Sequence, residues 1–113
     1  MQNLDYLKEI NMSVTVCNAE GKIIYMNDKS KKTFSSDGGE HLIGKSVYDC
    51  HSQLSTEKIQ FLMNTNSSNI YTIEKKGERK MIIQTPYYIS GILSGLVEFS
   101  FVLPSNIPHF DRD

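Results

Sequence analysis

The stretch Asn18-Ala19-Glu20-Gly21-Lys22-Ile23-Ile24-Tyr25-Met26-Asn27 decides how this chain is read. Its first four residues form a turn: Asn bonds readily to its own backbone, and Gly21 can take a left-handed conformation. Ser13 to Cys17, just ahead, alternates and is β-branched; Lys22 to Met26, just behind, carries Ile23, Ile24 and Tyr25. The two runs therefore pair as an antiparallel hairpin. Asn27-Asp28 then offers a helix start, with one or two helical turns predicted over Lys29 to Phe34.

Working outward from the hairpin, Leu4, Leu7 and Ile10 recur at helical spacing in an opening segment that breaks near Asn11. A helix this short needs something to pack on. Ser35 to Gly39 reads as loop, and His41 to His51 as short helical pieces around Gly44. Ser52 or Ser55 can cap the next helix, whose inner face is Ile59, Leu62 and Met63. Three β-rich runs follow, Ile70 to Glu74, Lys80 to Thr85 and Leu93 to Leu103, with Lys76-Gly77 and Gly91 to Gly95 as connections. A meander is their simplest arrangement. Apolar residues fall on both sheet faces, so one face covers the central helices and the other needs a second cover. Pro104 and Pro108 bar a long helix in the tail.

Composition narrows the function classes. A chain of 113 residues has room for one core, burying roughly 65% of the surface its unfolded form exposes. The formal net charge of −1 gives no electrostatic case for nucleic acid. Cys17 and Cys50 lie 33 residues apart, which excludes a CxxC redox or zinc half-site and suits two reduced thiols in the cytoplasm. No basic leader precedes an apolar segment, and no apolar run approaches a membrane span of ~20 residues. The expected setting is a cytoplasmic protein with no membrane partner.

The element order, helix, two strands, several short helices, then three strands, resembles the PAS fold. That is an α+β architecture with a five-stranded antiparallel sheet and short helices inserted between strands two and three. The opening hairpin resembles the family's, where a turn ending in Gly leads into a strand and then an Asn. Leu42-Ile43-Gly44-Lys45 resembles the family's recurrent Leu-Ile-Gly-Lys segment. Asp49-Cys50-His51 is similar to an Asn-Cys-His-Pro-Pro stretch of one bacterial PAS subgroup, with Ser52 and Gln53 in place of the prolines. The resemblance spans residues 10 to 103. It predicts a flanking helix over 1–11, a PAS domain over 12–103 and a tail over 104–113. The opening Met and the charged ending Phe110-Asp111-Arg112-Asp113 suggest a complete small protein.

The resemblance implies a module that binds a small molecule or cofactor between helices and sheet, pairs with a second copy, and signals to a protein partner. The residues then predict a pocket from Tyr25, Phe34, Tyr48, Cys50, His51, Leu62, Met63, Tyr71, Gln84 and Phe99, with Tyr88 and Phe101 nearby. The same residues could instead simply fill the core. Leu4, Leu7 and Ile10, with the outer sheet face, are the predicted homodimer surface. A ligand-free interaction module is the alternative.

Cys50-His51 is the sharpest polar feature, because an adjacent histidine can lower a thiol's pKa. Flavin photosensors of this family place the reactive cysteine three residues after the corresponding glycine. Here Gly44 and Cys50 are six apart, so flavin is not expected. Haem is a lesser alternative through His51 or His41; the family's proximal histidine stands on the helix before strand three, and residues 55–65 contain none. The favoured reading has Cys50 packing as a small apolar residue and His51 bonding to the neighbouring helix. His109 falls in the tail. No Gly-x-Ser-x-Gly elbow or phosphate loop is present: Gly91-Ile92-Leu93-Ser94-Gly95 and Gly44-Lys45-Ser46 both fail on spacing. Neither a catalytic residue nor a metal set is predicted, and the chain reads as no enzyme. Glu74 and Glu98 read as exposed strand carboxylates, and Lys75, Lys76, Arg79 and Lys80 as a solvated hairpin tip.

Overall fold

The computed structural model describes residues 5–49 and 52–113. A short helix α1 (Asp5–Lys8) leads into strands β1 (Ser13–Asn18) and β2 (Ile23–Met26). The turn between them is locked by Asn18, whose Oδ1 accepts from the Glu20 and Lys22 amides at 3.1 and 2.8 Å. Gly21 takes φ +87° there, and any Cβ on it would strike the Tyr48 ring. Helix α2 (Asp28–Thr33) follows, then tight turns at Ser35–Asp37 and Gly39–Leu42. Helix α3 (Gln53–Thr65), capped by Ser52 and closed by Asn66 at φ 51°, precedes β3 (Asn69–Lys75), β4 (Glu78–Ile89) and β5 (Ile92–Val102).

Among the described residues the five strands form one antiparallel sheet in the order β2-β1-β5-β4-β3. The meander holds for the last three, and both hairpins close on two residues with positive φ: Lys76-Gly77 and Ser90-Gly91. Such a pair suits the strands' right-handed twist. Gly95 is not part of a connection, contrary to the sequence reading. It lies inside β5, opposite Asn18 on β1, at φ +156°, where a side chain would collide with the Cys17 carbonyl oxygen. The β-runs are also longer than their apolar cores, because β4 and β5 pair over ten positions from Lys80↔Val102 to Ile89↔Ile92. At the opposite edge Gly44 to Val47 lies along β2, through Gly44 N–H to the Ile23 carbonyl, Ile23 N–H to the Lys45 carbonyl and Val47 N–H to the Gly21 carbonyl. The Leu-Ile-Gly-Lys resemblance thus marks a segment that covers a sheet edge.

Helices and sheet meet in a core of Cys17, Ile23, Met26, Val47, Ile59, Leu62, Met63 and Leu96, with Phe34, Leu42, Tyr48 and Leu93 packed around it. At its margin sits Asn27, only 1% exposed. Its Oδ1 accepts from the Val14 and Ser30 amides at 2.9 Å each. Its Nδ2 donates to the Leu7 and Met12 carbonyls at 2.9 and 2.8 Å. That capture explains why α1 ends at Lys8 and not near Asn11: the Leu7 carbonyl finds its partner outside the helix.

Replacing Asn27 orphans two buried amides and two carbonyls, and each unsatisfied group costs about 1–3 kcal/mol. Asn27→Ala should therefore lose about 3–4 kcal/mol of unfolding free energy by urea denaturation. Asn27→Asp keeps the two accepted bonds but turns a carboxylate on two carbonyls, and should also destabilise. A wild-type midpoint for Asn27→Asp would show that the donated bonds carry no weight.

Candidate functional site

Strand alternation and register organise the sheet's helix-facing side into cross-strand rows. The first is apolar: Pro86 opposite Leu96, Leu96 opposite Cys17, Cys17 opposite Ile23. The next is polar across nearly the whole sheet: Asn69, Gln84, Glu98, Thr15, then Met26. A mixed row of Tyr71, Ile82, Ser100 and Ser13 follows, and the last holds Ile73, Lys80 and Val102. The polar row is wired. Asn69 Nδ2 donates to Gln84 Oε1 at 3.2 Å, and Gln84 Nε2 donates to Glu98 Oε2 at 2.8 Å. Thr15 shares a hydroxyl bond of 2.5 Å with Ser30 of α2.

Between these rows and the helices lies a cavity of about 680 Å³, within the range of small-molecule sites. Cys17, Ile82 and Leu96 supply apolar floor, with Phe34, Leu42 and Ile59 opposite. The polar lining comes from Thr15, Asn69, Tyr71, Gln84, Glu98 and Ser100 on the sheet, and from Asp37, Ser55 and Lys58 on the helical side. Lys75 and Lys80 complete the wall toward β3.

Of the predicted pocket residues, Phe34, Tyr71 and Gln84 line this cavity. Leu62 and Met63 belong to the packed core beside it, and Tyr48 packs on that core over Gly21. Tyr25 is half-buried on β2 and does not line it. Phe99 is on the other side of the sheet, because its neighbours Glu98 and Ser100 both line the cavity and alternation turns it away; Phe101 shares its phase, and Tyr88 is exposed near the β4–β5 turn. Cys50 and His51 lie outside the described residues, as does Leu4; His41 and His109 are exposed. Leu7 and Ile10 are half-buried.

Two readings change. Glu98 is a half-buried carboxylate in the cavity wall, while Glu74 stays exposed. Lys75 and Lys80 also line the cavity, while Lys76 and Arg79 remain at the exposed tip. The missed signal was cross-strand register: Glu98 faces Gln84 and Thr15 only once β1, β4 and β5 are aligned.

Burial raises the proton affinity of several groups at and beside the site. Burial pushes the Cys17 thiol above its ordinary value, and the Glu98 carboxylate adds to the shift. Tyr71 is raised likewise, by burial first and Glu98 second. Tyr48 and Tyr87 are also raised, chiefly by burial, with Cys17 contributing.

No family model matches the sequence, and no curated protein is similar enough to count as a relative. Solved structures do match. The PAS domain of Bordetella pertussis BvgS is 18% identical, with 90% of this chain and 87% of that one aligned at a TM-score of 0.62. A sensory box sensor histidine kinase from Vibrio cholerae is 15% identical over 88% of each chain, at 0.63. VqmA bound to DPO is 13% identical and reaches 0.70, covering 90% of this chain and 56% of that one. At such identities the likeness establishes architecture. The chain has the PAS fold.

In a Cys50→Ser background, Cys17 should alkylate far more slowly than a free thiol at neutral pH, with an apparent pKa above the ordinary thiol range. Glu98→Gln should bring that pKa part of the way down; a pH–rate profile unchanged by it would remove Glu98 as a cause. The same shifts govern alkaline stability. Cys17, Tyr48, Tyr71 and Tyr87 hold their protons more tightly folded than unfolded. Their contribution is complete below the unfolded values and is lost as pH rises through the folded ones. Urea midpoints should fall from the ordinary thiol range upward, and less steeply in Cys17→Ala.

Proposed function

We propose that this chain is a signal-sensing and homodimerising module of the PAS type, with a small molecule as its input and no catalysis of its own. The observation that carries the reading is the cavity between helices and sheet, walled by the wired Asn69–Gln84–Glu98 row. A packed core spends its interior on apolar contacts, whereas this one spends it on groups suited to orienting a ligand. Supporting analogy comes from neighbours of the same fold, a sensor histidine kinase among them, and from VqmA, solved bound to DPO. Fold analogy alone is a weaker warrant than the site.

Dimerisation draws on the other sheet face. Val16, Ile83, Val97, Phe99 and Phe101 are half-buried there, beside Ile24 at 47% and Ile70 at 62% exposure. Such a face suits a second copy, and Leu7 and Ile10 would extend it. Ligand occupancy would then bias sheet packing, and through it the dimer or a signalling partner. We place this work in the cytoplasm, with neither nucleic acid nor membrane as partner; no described helix is long and apolar enough to cross a bilayer.

Native mass spectrometry of gently purified protein should reveal a retained small molecule. Its loss in Leu96→Trp, which fills the cavity, would place that molecule inside. A protein that retains nothing and whose stability no small molecule raises would favour the ligand-free interaction module. An absorption band of haem, abolished by His51→Ala, would establish the gas or redox sensor instead. Sedimentation should give a dimer for the wild type and a monomer for Leu7→Glu; a monomeric wild type defeats the dimer.

A further inference from the structure

The two edges of the sheet differ. Gly44 to Val47 covers the β2 edge, whereas among the described residues nothing pairs with β3 on its outer side. Strand β3 packs chiefly on β4, and α3 lies over β4 and β5. From Asn69 to Lys75 the edge runs in unbroken register with β4, with no bulge, proline or glycine. Its charges stand only at the Glu74-Lys75 end, and Ile70, Tyr71 and Ile73 are exposed on both faces of the strand. The usual protections of a sheet edge are thus missing from most of its length.

The adjoining hairpin fixes which backbone groups face outward. Lys76 and Gly77 both take positive φ in a two-residue loop, so Lys75 and Glu78 exchange hydrogen bonds across it. Alternation then turns the backbone of Asn69, Tyr71, Ile73 and Lys75 toward β4, and the N–H and C=O of Ile70, Thr72 and Glu74 outward. Arg79 agrees with this phase: opposite Glu74, its carbonyl points away from β3 and accepts from the Leu103 amide at 2.8 Å.

This edge is complementary to itself. A two-fold axis perpendicular to the sheet keeps the faces of two copies aligned, so even-numbered residues meet even and odd meet odd. Centred on Thr72, all of β3 pairs: Thr72 with Thr72, Ile70 with Glu74, Tyr71 with Ile73, Asn69 with Lys75. That register supplies about six backbone hydrogen bonds. It also sets an aromatic ring against a β-branched side chain twice and opposes no like charges. Centring on Glu74 would oppose two carboxylates, and centring on Tyr71 or Ile73 leaves the end of each strand unpaired.

We infer that β3 is a strand-addition surface for a second copy of this chain, joining two sheets edge to edge about Thr72. The seam is separate from the outer sheet face and requires no ligand. Tyr71 and Ile73 line the cavity, so on the helix side the partner's Ile73 comes to stand beside Tyr71 and extends the cavity wall. One strand's length is less than a standard interface, so the seam forms at higher concentration than the sheet-face dimer.

Sedimentation equilibrium of Leu7→Glu, which lacks the sheet-face pairing, should show monomer in dilute solution and a reversible dimer toward millimolar concentration. In that chain Thr72→Pro removes the central outward N–H and spares the bonds to β4, while Thr72→Lys opposes two like charges. Each should weaken association at least about tenfold with little change in urea midpoint. Cross-linking tests the register with Leu7 intact. In a Cys50→Ser background, with Cys17 buried, Thr72→Cys should give a disulfide-linked dimer, because residues opposed in a hydrogen-bonded pair lie about 5.5 Å apart. Ile70→Cys, opposite Glu74, should not. Thr72 variants that associate as the parent does, or a Thr72→Cys chain that never cross-links, would overturn the inference and leave the cavity and the sheet-face dimer standing. A labelled Asn69–Lys75 peptide that binds a chain unable to self-associate would also overturn it, and assign the edge to a strand of another protein.

Discussion

The amide of Asn27 is the joint on which this structure turns. All four of its strong hydrogen-bonding capacities are used, two accepting and two donating, inside a site that is 1% exposed. In one residue it caps α2, holds the start of β1, and ties the backbone of the opening segment to the sheet. The helices that roof the cavity leave the sheet at this point. Without the joint, α2 and its bond from Ser30 to Thr15 would lose their position over β1, and the cavity would lose one wall. A buried polar group is expensive unless fully satisfied, and a fully satisfied one admits few alternative geometries.

From that joint the sheet carries the rest. Register aligns residues of neighbouring strands in rows, so four separate short segments build a single polar line from Asn69 to Thr15. Gly95 allows β1 and β5 to approach where any larger residue would collide with the Cys17 carbonyl. The close approach holds the apolar row beneath α3, and the polar row lies two residues farther along β5. Chemistry and packing are thus layered on one surface: a hydrophobic floor, a hydrogen-bonded row, then a cationic edge.

Several features of this arrangement were legible in the chain itself. The opening turn, the hairpin at Lys76-Gly77, the capping residues Asn27 and Ser52, and the inner face of α3 all depend on neighbours within a few positions. Local backbone preference settles such features. Candidate site residues were harder to read. Phe34, Tyr71 and Gln84 were recognisable as aromatic or amide groups in apolar surroundings, and they do line the cavity. Phe99 was assigned to the wrong face because β5 carries apolar residues on both faces, so its pattern does not reveal its phase.

What the sequence by itself determined is the order of elements and the turns between them, because those follow from spacing and residue type over short range. Which side chains meet was decided only by the tertiary structure. Glu98 and Lys80 looked like ordinary solvated strand residues, and each acquired its role from a partner far away in the chain. A one-residue slip of β5 would carry Glu98 out of the cavity and Phe99 into it. Asn27, Gly95 and the β4–β5 pairing together hold the register that prevents this.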